Sequence, residues 1–184
     1  MKTPRRMMIT GLCAALLSAC GKHEAPVPGA PPAAQPPFYT VPHTATVDVA
    51  IGKIESQTPL PLSDSASAKG QIVSTAAGKL VGVSVFIGNY FNTATGAFDL
   101  EACVADHCQR ASVDAAKSAD NQMLEFALPE SIDLAAGVTV TYTFSRAAGT
   151  NPIALWTYSA VTPTDHLLAP GDVARTAKVS LLLN

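Results

Sequence analysis

The chain has 184 residues, 48% of them hydrophobic and only 14% charged, with a formal net charge of −2. Sparse charge without a lysine or arginine cluster argues against nucleic acid as a partner, and equally against adsorption to anionic lipid through basic side chains. The length suits one domain with a sizeable core rather than two.

The amino end reads as an export leader. Lys2, Arg5 and Arg6 make a positive start, and Met7 to Leu17 form an apolar run broken only by Thr10 and Gly11. That run is well short of the roughly 20 residues a membrane-spanning helix needs. Leu17-Ser18-Ala19-Cys20 then supplies small residues before a thiol. This stretch resembles the lipobox of bacterial lipoproteins. The resemblance implies that residues 1–19 are removed and that Cys20 carries a diacylglyceryl group and fatty acyl chains such as palmitate. Gly21 at the following position implies an outer-membrane address. A plain secretory signal cut at Ala19 is the alternative. Loss of the leader removes three cations and no anion, leaving nine against fourteen and a net charge of −5.

Residues 20–42 form a tether. Seven of the fourteen prolines lie between Gly21 and Pro42. Proline fixes φ and removes donors, so the segment is expected to be extended, with a reach of roughly 60 Å.

Residues 43–184 carry strand-like alternation. Weaker strands are predicted at 45–51 and 70–75, followed by a clear one in which Val81, Val83, Val85 and Ile87 share a face. Phe98, Leu100, Ala102 and Val104 line the next, with Asp99, Glu101 and Cys103 on its reverse. A strand at 109–113 precedes Leu124, Phe126 and Leu128; Val138, Val140, Tyr142 and Phe144 then alternate with hydroxyl residues. Further strands are predicted at 152–159 and 176–183. Turn residues separate these runs, and no segment after residue 42 has a helical apolar period. The expected fold class is all-β, an antiparallel β-sandwich or barrel.

Cysteine placement fits export. Cys13 leaves with the leader, and Cys103 and Cys108 remain as a close pair that a hairpin would bring together as a disulfide on the sheet's outer face. Unpaired thiols, or a metal or redox role with His107, are the weaker alternatives, since only one further ligand lies near and the spacing is not Cys-x-x-Cys.

The sequences Leu80 to Tyr90, Gly96 to Leu100 and Ala119 to Phe126 together resemble the jelly-roll accessory domains of bacterial surface-polysaccharide proteins and are similar to carbohydrate-binding modules. The resemblance covers about half the mature chain. It implies a jelly-roll-like sandwich, with Asp120-Asn121 as a turn before a strand.

Catalytic signatures are few. The histidines are His23, His43, His107 and His166, and no Gly-x-Ser-x-Gly or His-Glu-x-x-His motif occurs. Asp165-His166 could serve a hydrolase, and Asp99 with Glu101 a glycosidase, but a solvated loop and a solvated sheet face account for them better. Asp106, Asp114 and Asp120 are candidate oxygen ligands for a structural calcium, but their spacing matches no calcium loop. No cofactor, metal or catalytic residue is expected. Tyr90-Phe91 beside a turn, and Trp156 with Tyr158, are candidate sugar-stacking rings; core packing is the commoner role for the only tryptophan of a sandwich. The expected function is a lipid-anchored, non-enzymatic envelope protein that binds glycan or another envelope component through Tyr90, Trp156 and Tyr158. A structural subunit joined to an envelope protein through a sheet edge near 176–183 is the alternative, and a hydrolase is a distant one.

Overall fold

The computed structural model describes residues 40–147, 149–161, 167–168 and 175–184. Cys20, the leader, the tether before residue 40 and Asp165-His166 lie outside them.

Among the described residues twelve strands follow one another: β1 Ala45–Asp48, β2 Thr58–Leu62, β3 Ser67–Val73, β4 Gly78–Gly88, β5 Ala97–Val104, β6 His107–Asp114, β7 Gln122–Leu134, β8 Thr139–Arg146, β9 Ile153–Ser159, β10 Leu167–Leu168, β11 Arg175–Ala177 and β12 Val179–Leu183. Among the described residues the only helical pieces are single 3-10 turns at Ile54–Ser56 and Ala115–Lys117. None is long or apolar enough to cross a membrane.

All pairings are antiparallel. One sheet runs β6-β5-β8-β3, the other β7-β4-β12-β1, and β9, β11 and β10 link them, with β2 added to β9. The two sheets pack as an all-β sandwich, as the alternation predicts. Phe98 of β5 and Phe144 of β8 meet Phe126 of β7 across the interior at ring-centroid distances of 5.4 and 5.7 Å. Each of these rings is fully buried, so the three carry much of the hydrophobic driving force that closes the sheets.

Several details depart from the sequence reading. The register between β4 and its neighbours shifts at Val81, so Leu80 takes the inward place and is fully buried while Val81 is half-buried. The packed chain begins two residues before the expected boundary: Val41 is buried, its N–H donates to Glu125 Oε2 at 2.6 Å, and its side chain lies over Gly82. Strand β2 was not expected because it contains Pro59 and Pro61. It pairs only with β9, and an edge is where a strand tolerates residues that lack an N–H.

The segment 176–183 is not a free edge. Strand β12 lies between β1 and β4, and β11 between β9 and β10, because Val179, Leu181 and Leu183 face the core and Leu182 is also buried. A sheet-edge junction with another protein has no place there.

Strands β5 and β6 form a hairpin turned by Ala105 and Asp106, with Ala105 at φ +50°. Cys103 and Cys108 face each other directly in its register and form a disulfide with Cα atoms 4.0 Å apart. Phe98, Leu100 and Ala102 are buried on the opposite face, so the bridge lies outside the core.

Candidate ligand site at one end of the sandwich

The β4–β5 connection is the most unusual piece of backbone. Tyr90, Phe91 and Asn92 have φ values of 39°, 64° and 63°, three successive non-glycine residues in the left-handed region. Tyr90 and Phe91 each cost on the order of 1–2 kcal/mol there, whereas asparagine adopts the region readily, so the turn persists only because its surroundings over-determine it.

Asn89 and Asp120 supply that constraint. Asn89 is fully buried; its Nδ2 donates to the carbonyls of Ala115 and Ser118 and to Ser118 Oγ, and its Oδ1 accepts from Ala94 N at 2.8 Å. The Asp120 carboxylate accepts the N–H of Asn89 at 2.6 Å and that of Phe91 at 3.2 Å. Asp120 N–H in turn donates to Asn92 Oδ1 at 2.7 Å, and Thr93 Oγ1 donates to the Tyr90 carbonyl at 2.8 Å. The turn thereby holds Tyr90 40% and Phe91 89% exposed.

Trp156 belongs to the same group. Its ring passes over Gly88, where an added methyl would lie 3.2 Å from Nε1 and 3.6 Å from Asp120 Oδ1. The indole N–H donates to Asn121 Oδ1 at 2.9 Å, and Trp156 is half-buried. One dipeptide, Asp120-Asn121, thus fixes both the Tyr90–Asn92 turn and the indole. The structure brings Tyr90 and Trp156 to a common dipeptide, and of the four candidate rings Phe91 is the most exposed. Phe91 stands beside Tyr90 in the sequence, but only the left-handed backbone shows that it points outward.

Tyr158 does not join them. It is 5% exposed on β9, where alternate residues face opposite ways but both faces are covered, and desolvation by burial pushes its phenol above the ordinary value of 10.0.

The three aspartates considered for calcium have separate local tasks. Asp106 is in the hairpin turn, Asp114 Oδ1 accepts from Ala116 N at 3.0 Å at the start of the 3-10 turn, and Asp120 holds the tip. Among the described residues no three acidic, histidine or cysteine side chains cluster as metal ligands would.

Asp99 and Glu101 line a shallow groove of about 340 Å³ on the outer face of β6-β5-β8, with Arg110, Ser112, Thr143 and Ser145. The Arg110 guanidinium binds Glu101 Oε1 through Nε at 2.8 Å and Nη2 at 2.7 Å. That is a solvated sheet face with a cross-strand ion pair. His43 Nδ1 lies 2.6 Å from the Val41 carbonyl, and His107 is exposed on β6.

No protein-family profile matches the chain, and no curated protein matches it either.

Proposed function

We propose that the protein is a lipid-anchored component of the bacterial cell envelope whose β-sandwich binds glycan without catalysis, through the tip formed by Tyr90, Phe91 and Trp156. The anchoring rests on the leader and Cys20, and with Gly21 it points to the outer membrane.

The observation that carries the binding reading is the conformational cost accepted at residues 90–92 to keep two aromatic rings exposed. Strain that surrounding bonds must hold in place is a feature of ligand sites. Glycine or asparagine would take these φ values at lower cost, so two adjacent exposed aromatic rings held there favour a binding role. Rings covering a pyranose face, with amide groups of Asn92, Asn121 and Gln122 close by in sequence, suit a hydroxyl-rich ligand.

Binding of purified protein to isolated envelope polysaccharide, followed by the fluorescence of Trp156 and by co-sedimentation, tests this. Phe91→Ala should lose binding with an unchanged melting temperature. Absence of binding to every envelope glycan fraction, or equal binding by Phe91→Ala, would overturn it. Fatty-acid labelling of Cys20, lost in Cys20→Ser, tests the anchor separately.

A further inference from the structure

Arg146, the last residue of β8, occupies a core-facing position in the alternation Val140, Tyr142, Phe144, Arg146 and is 2% exposed. Guanidinium has five N–H donors and is always charged. Nη2 donates to the carbonyls of Thr95 and Thr150, whereas Nε and Nη1 have no hydrogen-bond partner. Three N–H groups of a buried cation are therefore left without an acceptor, an arrangement that is costly in a protein interior.

The neighbouring carboxylate does not complete it. Asp64 Oδ1 is 3.9 Å from Nε, beyond hydrogen-bond reach, and its side chain is 54% exposed. That same oxygen accepts from Gly149 N at 3.1 Å. Gly149 lies against the guanidinium, since an added methyl there would come within 2.7 Å of Nη2. Asp64 and Gly149 also line a cleft of about 310 Å³ with Ser63, Asn151 and Pro152.

The geometry points to an oxyanion-binding site in which Arg146, lying beneath this cleft rather than on its lining, is the cation, and Asp64, which does line the cleft, is a displaceable stand-in for the ligand. A carboxylate or phosphate group entering between Ser63 and Asn151 displaces Asp64 outward and accepts from the unpaired guanidinium N–H groups. Charge is then neutralised at hydrogen-bond distance, which the 3.9 Å approach of Asp64 does not achieve. The site stands apart from the glycan reading and does not depend on it.

Titration of the purified protein with acetate and, separately, with inorganic phosphate, observed through the amide resonances of Ser63, Gly149 and Asn151, tests the proposal. Saturable shifts are expected with at least one of the two, and the tighter binder identifies whether carboxylate or phosphate is preferred. Asp64→Asn retains an acceptor for Gly149 and removes the competing charge, so binding should tighten by about tenfold, as expected for loss of a like charge a few ångströms away. Arg146→Gln should abolish the shifts if it folds. Shifts in both wild type and Asp64→Asn no different from those caused by sodium chloride at equal ionic strength would overturn the site.

Discussion

Asp120 and Phe91 are joined at the tip of the sandwich, the carboxylate of the first accepting the main-chain N–H of the second at 3.2 Å. The same carboxylate holds Asn89 N–H, and the next residue holds the indole of Trp156. Replacing Asp120 with alanine leaves a part-buried donor unmatched and should destabilise the protein by about 1–3 kcal/mol. Urea denaturation measures this, and amide exchange at Phe91 should accelerate more than exchange in β5.

Phe91→Gly should have the opposite effect on stability. It removes the left-handed penalty of a side chain at φ 64°, partly offset by the greater freedom of glycine in the unfolded chain, for a net gain of about 0.5–1 kcal/mol. Glycan binding should fall at the same time. A variant more stable and less able to bind is the pattern of a site that gives up stability for function.

Gly88→Ala tests the seat of the indole. The new methyl would approach Nε1 at 3.2 Å, so the ring must shift and its bond to Asn121 weaken. Because Trp156 is the only tryptophan, its emission reports this directly. A red shift is expected, with a stability loss of about 1 kcal/mol from the disturbed hydrogen bond.

Reduction of Cys103–Cys108 should cost about 2 kcal/mol, because the closed loop spans a sequence separation of only 5 and the entropy term grows slowly with loop length. The hairpin keeps its backbone register and the core is on the other face. Circular dichroism should therefore remain that of a β-protein, with a lower melting temperature.

Tyr158 predicts an alkaline effect. Its folded-state value lies above the ordinary 10.0, so the unfolded chain loses the phenolic proton first. Its contribution is fully present below pH 10 and is lost as pH rises toward and through the folded value. Stability measured across that range should fall less steeply for Tyr158→Phe than for the wild type.

The strands and the hairpin disulfide were legible in the chain because they follow local rules. Alternation with period two places Phe98, Phe126 and Phe144 inward whatever the strand order, and a sequence separation of 5 between the cysteines suffices for a hairpin bridge. Strand β2 was hidden because its two prolines are compatible with a strand only at an edge, and edges are a property of the assembled sheet.

The tip was only partly legible. Tyr90 and Trp156 could be singled out from the sequence, but the role of Asp120-Asn121 as their common support depends on contacts across 31 and 35 residues of sequence. The same limit applies to Tyr158, whose burial is set by strands on both sides of β9, and to 176–183, whose apolar pattern suits an edge or an interior strand equally.

By itself, then, the order of apolar and polar residues determined an all-β chain with a stapled hairpin, since each depends on neighbours within a few residues. Only the tertiary structure decided which rings are exposed, that β12 is interior and that Arg146 is buried with donors to spare. Those outcomes depend on which distant side chains compete for the same space and the same hydrogen bonds, and that competition exists only once the sheets have closed.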